Sequence, residues 1–410
     1  DELGIEGYVY DMLIGCSSTT FAISNAYSDI ASGLADTVLV VNPELTSPHN
    51  DFTLRDSHFI FGDACVATVV QRDSKSDKRD KIIDRKTSSS SKWTKYDQPD
   101  IIPMWVADMD FETAPCIKSA LLERVNHGIY GYTQTPTELP PTVVNYLSEE
   151  FNWTIDPDWI VWLPSLVVGL NVVSRAFAKD GEAIISNTPI YPPFLSAPTY
   201  GNAQTVTAPL NWDGTRWVMD FKTLETVITP DTKAFLFCSP HNPTGRVWDI
   251  EELNALVSFC RKHNLILISD EIHAGLILDQ DKKHIATGNI PDAADILVTL
   301  QSASKTFNMP GLGCAYAVVK NPILRKKIKQ IMNGIVHHVG ALGFTATLAA
   351  YQNGKAWHSE LIEYLRLNRE QVEQTLSPCD GLTVYHSEAT YLTWIDAREM
   401  AVNNPSLYFE

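Results

Sequence analysis

The sequence contains no apolar stretch of the about 18 residues that a membrane-crossing helix requires, and nothing at its start reads as a signal peptide. Membrane insertion and export therefore find no support. The seven cysteines form no Cys-x-x-Cys pair and follow no regular spacing. That pattern is neither a disulfide framework nor a zinc site, and it reads as reduced thiols in a cytoplasm. Positive charge is in deficit, with 32 Lys and Arg against 49 Asp and Glu and a net charge of −17. A nucleic-acid partner calls for clustered cations. The one basic run, Arg325-Lys326-Lys327-Ile328-Lys329, falls in a helical pattern and reads as a solvated face. Internal repeats are absent.

What remains is a chain of 410 residues, 44% hydrophobic and 20% charged, enough for two or more domains with a large core. One composition shift divides it. Arg72 to Lys81 is wholly polar, and Ser88 to Ser91 is a run of serines. The expected division is a first module over 1–72, a linker over 73–80 and a longer region over 81–410. In that region strands and helices alternate. Trp159 to Leu163 reads as a strand, the helix after it runs from Pro164 to Phe177, and Ala183 to Ser186 is the next strand. Asp249-Ile250-Glu251-Glu252 is a capping-box start for a helix through His263. This rhythm predicts an α/β fold, a mostly parallel sheet with helices on both faces.

Three strand ends carry the chemistry. Lys233 to Phe237 leads into Cys238-Ser239-Pro240-His241-Asn242-Pro243-Thr244-Gly245. Leu265 to Ile268 leads into Ser269-Asp270-Glu271-Ile272-His273, and Ile296 to Leu300 into Ser302-Ala303-Ser304-Lys305-Thr306-Phe307-Asn308. Singly, these read as a turn, a strand-end acid and a surface lysine. Together and in this order they form a constellation. Lys305 is placed to condense with an aldehyde cofactor, with nearby serines holding its phosphate. Asp270 can pair with a protonated pyridine nitrogen, and Asn242 can donate to a phenolate oxygen. Ligands of open α/β sheets bind at the carboxyl ends of strands, where all three fall.

These motifs resemble the pyridoxal-phosphate enzymes of the aspartate-aminotransferase fold (type I). Ile102-Pro103-Met104-Trp105-Val106-Ala107-Asp108-Met109-Asp110-Phe111, then His127-Gly128-Ile129-Tyr130-Gly131-Tyr132, and Asp270 to His273 are similar to the MalY/PatB-type cystathionine β-lyases. The resemblance runs from about residue 81 onward. It implies a large domain over about 126–371, a small domain from 81–125 and 372–410, and pyridoxal 5′-phosphate as cofactor. The implied reaction is β-elimination from cystathionine or a related S-substituted cysteine, a small amino-acid substrate, by a homodimer. Aminotransfer uses the same residues and stays an alternative, as does a non-catalytic regulator that binds the cofactor.

By the same resemblance Tyr191 stacks on the pyridine ring, and Tyr132 reaches the cofactor phosphate of a neighbouring subunit. A core aromatic and a turn residue are the alternative readings. His273 lies near the phenolate oxygen or is structural. Ser302 and Ser304 bind phosphate and shape the lysine loop, with Ser302 favoured, and the amides of Ser165, Leu166 and Val167 open a helix that can cradle the same anion. His337 and His338 are adjacent, point differently and have no companion ligands, so no metal site is expected. Two departures stand out. The position eight after the lysine, often a phosphate-binding arginine or threonine in relatives, is Gly313. The chain begins at Asp1 and stops at Glu410, before the late Arg-Leu-Asn-x-x-Cys-Pro-Arg segment whose arginine binds the substrate carboxylate in the family. Arg398 lies in the wrong part of the pattern to replace it, so an incomplete small domain is expected.

The first module has a different signature. Tyr10-Asp11-Met12-Leu13-Ile14-Gly15-Cys16-Ser17 precedes a small-residue helix, Ala22 to Gly33, and a strand, Thr37 to Val41. A cysteine at a helix start can have a lowered pKa, though it is also a common buried thiol. The stretch resembles the middle of 3-oxoacyl-carrier-protein synthase III, a thiolase-like fold, with Cys16 at the acyl-accepting position. That family needs a histidine and an asparagine from its other half, and the sequence changes character after Gln71. An inactive fragment is expected, with acyl transfer through Cys16 as the rival.

Overall fold

The computed structural model describes residues 37–44, 64–71, 83–96 and 102–402. The chain divides into two compact units, Asp1–Lys81 and Ile82–Glu410. In the first, strands β1 (Thr37–Glu44) and β2 (Ala64–Gln71) pair antiparallel, Thr37 opposite Gln71. Cys16 and the expected helix Ala22 to Gly33 lie outside the described residues.

The second unit opens with helices α1 (Pro115–Asn126) and α2 (Leu139–Phe151). Strand β3 (Ile160–Leu163), helix α3 (Leu166–Phe177), strand β4 (Ala183–Thr188) and helix α4 (Pro193–Tyr200) follow. Next come β5 (Gln204–Trp212), β6 (Trp217–Met219), α5 (Phe221–Val227) and β7 (Thr232–Cys238). Helix α6 (Ile250–Lys262) leads to β8 (Ile266–Asp270), β9 (Leu297–Gln301) and β10 (Ala315–Val318). Helices α7 (Pro322–Met332), α8 (Ala341–Asn353) and α9 (Lys355–Leu376) precede a two-stranded sheet, β11 (Thr383–Tyr385) with β12 (Trp394–Asp396).

Eight strands form one sheet in the order β3-β10-β9-β8-β7-β4-β5-β6. The pairs β5–β4, β4–β7, β7–β8 and β8–β9 are parallel, whereas β10 and β6 are antiparallel. Side chains alternate between faces along each strand. On one face Ile184, Leu236, Ile268 and Val298 pack with Leu170 and Val173 of α3, Phe194 of α4 and Leu324 of α7. On the other, Ile185, Phe235, Leu267 and Leu297 pack with Leu224 of α5 and Leu253, Leu256 and Val257 of α6. Strands buried on both faces read as continuous apolar runs, which is how these five to seven residue segments appear in the sequence.

Local signals set the helix starts. Ser165 caps α3 by accepting from the Val168 amide at 3.2 Å. Asp249 and Glu252 bond reciprocally at 2.9 Å, the capping box expected from the sequence. A third core joins the Met109–Ile117 stretch to α8 and α9 through Leu276, Phe307, Met309, Ala346 and Trp357. It sets the Trp105–Asp110 loop against the turns after β9, where Ala107 meets Lys305.

Candidate active site

The parallel strands reverse their order between β4 and β7, and the crevice beyond their carboxyl ends is where such sheets bind ligands. In register, Cys238 lies opposite Asp270, and Asp270 opposite Leu300. Asp270 thus stands at the centre of the sheet's edge, 3% exposed. Its Oδ1 accepts from the Ile272 amide at 3.1 Å, and among the described residues it pairs with no cation. Burial pushes its carboxyl up to about 7; neighbouring Glu271 adds to this, and Lys305 opposes it. A buried carboxylate without a counter-charge is costly unless a cation arrives.

Lys305 lies in the turns after β9, partly buried, and its Nζ donates to the Ala107 carbonyl at 2.5 Å. Burial moves the amine below the ordinary lysine range, against the pull of Asp108 and Asp270. His273 follows β8, is 2% exposed and has an Nδ1 without a hydrogen-bond partner among the described residues. Burial brings it down to about 3, so it stays neutral. Tyr191, just past β4, is 37% exposed; partial burial, then Asp270, raises its hydroxyl.

The loop after β7 is closed by its own residues. The His241 amide donates to Arg246 O at 2.9 Å, the Gly245 amide to His241 O at 2.8 Å, and Nδ1 of His241 meets Thr244 Oγ1 at 2.9 Å. Asn242 stands at the turn with its amide on Cys238 Sγ at 3.4 Å and its side chain uncommitted among the described residues. The strand-end residues Asp270, Lys305, His273 and Tyr191 are within electrostatic or ring contact of one another or of shared neighbours.

A second cluster lies where α3 begins. The amides of Leu166 and Val167 sit in its first turn with no acceptor among the described residues, as the first turn of any helix leaves them. Ser165 Oγ accepts from Val168 and keeps its proton to donate. Ser302 is more fully used: its Oγ accepts the Ser304 amide at 3.1 Å and donates to Cys314 O at 2.7 Å. Ser304 Oγ lies 2.9 Å from Ser302 Oγ, and its hydroxyl can turn from that contact to an anion. Gly313 explains the departure noted in the sequence. It has φ +59°, and a Cβ there would stand 2.9 Å from the Pro164 carbonyl. A side chain at that position would have to push the Pro164 carbonyl aside.

Tyr132 is not brought to the other site residues of the same chain. It is fully exposed, beside the exposed Ile129 and Tyr130. Among the described residues no cluster of histidine, cysteine and acidic side chains is placed to hold a metal, and no helix is long and apolar enough to cross a membrane.

Several contributors were not read from the sequence. Tyr391 donates to the Ala107 carbonyl at 3.0 Å, the same oxygen that Lys305 uses. Asn308 binds Met109 N and O and Phe111 O, each at 2.9 Å. Arg85 grips Asp108 at 2.8 and 3.0 Å and Asp110 at 3.0 Å, while Lys92 holds Asp110 at 2.7 Å and Trp93 Nε1 donates to it at 2.9 Å. The Met104 to Phe111 motif was a signal for this loop, but its spacing does not say which groups it meets.

Residues 99–405 match the family model "Aminotransferase class I and II". The chain belongs to that family. Among its members, the chain is 33% identical to cystathionine β-lyase PatB of Bacillus subtilis (strain 168), over 80% of this chain and 87% of that protein. A crystal structure of OvoB superposes with a TM-score of 0.79 at 40% identity, covering 80% of this chain and 87% of the other. Cystalysin from Treponema denticola, whose crystal structure contains pyridoxal 5′-phosphate, superposes with a TM-score of 0.76 at 30% identity, covering 80% and 86%. Residues 10–91 match the model for 3-oxoacyl-(acyl-carrier-protein) synthase III. The aminotransferase-family fold is therefore the one expected, with a mostly parallel sheet and helices on both faces, preceded by a stretch related to the synthase.

Proposed function

We propose that this family member binds pyridoxal 5′-phosphate at the carboxyl ends of β4, β7, β8 and β9 and acts as a carbon–sulfur β-lyase on cystathionine or a related S-substituted cysteine. The observation that carries the reading is Asp270, a buried carboxylate with no cationic partner among the described residues, set within electrostatic reach of Lys305. The residues fit the cofactor chemically. Asp270 supplies the negative charge that a protonated ring nitrogen needs, and the Nδ1 of His273 and the side-chain amide of Asn242, both without partners among the described residues, suit an oxygen on the ring. The amides of Leu166 and Val167 with the hydroxyls of Ser165 and Ser304 suit a phosphate, and Ser302 shapes their turn. Tyr191 offers a ring face at the open side.

When bound, the cofactor withdraws electrons from the α-carbon of an attached amino acid, so that an α-proton can be removed and a β-thiolate expelled. The chain's part is to hold charge and move a proton. Asp270 keeps the ring nitrogen protonated. Lys305, whose amine burial biases toward the neutral base, takes the α-proton. The Trp105–Asp110 loop covers the lysine and limits water.

Support for elimination over aminotransfer comes from the lyase relative and from the Met104–Phe111 and Asp270–His273 motifs. The test is product analysis. Purified chain with pyridoxal phosphate and L-cystathionine should release pyruvate, ammonia and homocysteine in equal amounts without a keto-acid acceptor. Turnover that requires such an acceptor and conserves the amino group identifies an aminotransferase instead. Cofactor binding without either reaction identifies a regulator.

We also read the catalytic region as 81–410, with a large domain over about 126–371 and a small one from 81–125 and 372–410, and the enzyme as a cytoplasmic homodimer. The exposed Ile129, Tyr130 and Tyr132 support pairing, with Tyr132 serving the partner's phosphate site. A monomeric mass in sedimentation equilibrium at micromolar concentration would exclude that arrangement.

A further inference from the structure

We propose that Tyr391 is a positioning residue for the Lys305 amine, acting through the Ala107 carbonyl that both side chains share. Lys305 Nζ donates to that oxygen at 2.5 Å, and Tyr391 Oη donates to it at 3.0 Å. A carbonyl oxygen has two lone pairs, so the tyrosine and the lysine between them fill it. The inference rests on the proposed role of Lys305 as the base and adds how that base is aimed.

The shared oxygen is held in place from several directions. Arg85, Lys92 and Trp93 grip Asp108 and Asp110 on the loop that carries Ala107. Asn308, three residues past Lys305, ties the same loop at Met109 and Phe111. Tyr391 packs its ring edge against His273, with centroids 6.3 Å apart and planes at 75°. Burial, with Asp108 adding, pushes the Tyr391 hydroxyl far above its ordinary range, so it remains a neutral donor. An amine that donates one N–H to so fixed an acceptor has its other directions fixed too, which is what a proton-transferring group requires.

The charged or titratable groups that face Lys305 are Asp108 from the loop, Asp270 from the end of β8, His273 after it and Tyr391. Tyr391 occupies one lone pair of the carbonyl and weakens it as an acceptor for an ammonium. Removing the hydroxyl frees that lone pair and loosens the loop toward water. Both changes favour the charged amine.

The test is competitive acetylation of the full chain, freed of cofactor, with acetic anhydride across about pH 7 to 11, following Lys305 by mass spectrometry. Tyr391→Phe should raise the Lys305 midpoint by about one pH unit. In the loaded enzyme the same variant should lower kcat about tenfold near neutral pH, with KM little changed. Site-specific 4-aminophenylalanine at position 391, a weaker donor of nearly the same shape that stays neutral across this range, should raise the midpoint by less, and it decides the matter if Tyr391→Phe does not fold. Unchanged midpoints overturn the proposal. Because the labelling uses no cofactor, a shifted midpoint beside an absent lyase reaction would sink the proposed function and leave this inference standing. The opposite pairing would do the reverse.

Discussion

Gly313 faces the Pro164 carbonyl so closely that a Cβ on it would come within 2.9 Å of that oxygen. The contact seats the start of β10, whose neighbouring Cys314 carbonyl accepts from Ser302, against the junction between β3 and α3. Gly313 also has φ +59°, in the left-handed region. Gly313→Ala should therefore destabilise the chain by about 1–3 kcal/mol. It should also weaken pyridoxal-phosphate binding, because α3 must give way. Thermal melting and cofactor titration by absorbance check both; an unchanged melting temperature would show that the junction yields freely.

The two serines of the lysine turn should separate in their effects. Ser302 is buried and both accepts and donates, so Ser302→Ala leaves the Cys314 carbonyl unpaired and should cost about 1–3 kcal/mol of stability. Ser304's hydroxyl meets only Ser302 Oγ among the described residues and can turn to an anion. Ser304→Ala should leave stability nearly unchanged and weaken cofactor binding about tenfold, the loss of one charge-assisted hydrogen bond. Equal losses of affinity in both variants would argue against this division.

Lys305→Ala should abolish elimination. Borohydride treatment of the loaded parent chain should fix the cofactor to one peptide, the one containing Lys305, and the variant should show no such adduct. A fixed cofactor mapped to Lys320 or any other lysine would reassign the site.

Asp270 makes a pH prediction for the cofactor-free chain. Its folded pKa, about 7, lies above the ordinary value of 3.8, so between these limits the folded state binds more protons than the unfolded one. The stability it contributes is present at low pH and falls as pH rises from about 4 to about 7. Asp270→Asn removes this dependence. The variant should gain on the parent by up to a few kcal/mol, on the order of what a three-unit shift represents, as pH rises to 7. Urea unfolding of both proteins between pH 5 and about 8 tests it. Parallel stability curves would show that Asp270 ionises normally. Loaded with cofactor, the same variant should lose orders of magnitude in α-proton exchange.

Much of this was open to reading along the chain because strand and helix signals are local. The apolar runs ending at Cys238, Asp270 and Gln301 have to be buried on both faces, and the polar residues that follow them have to fall at strand ends. Ser165 and Asp249 announce their helices by side-chain caps that act within three residues. The order Asn242, Asp270, Lys305 along the chain is thus an order of residues that follow three neighbouring strands.

What the sequence by itself determined is the sheet, its helices and the strand-end residues, because those follow from side-chain period and short-range hydrogen bonds. Tertiary structure alone decided the rest. That Tyr391 meets an oxygen 284 residues away, that Arg85 grips Asp108 and that Asp270 meets no cation among the described residues depend on contacts between distant segments. No local pattern encodes such contacts. The same holds for Gly313 and Ser302, whose roles come from a carbonyl carried by another strand or its junction. Burial, which moves Asp270 up and Lys305 down, is likewise a property of the packed chain and not of either residue's neighbours in sequence.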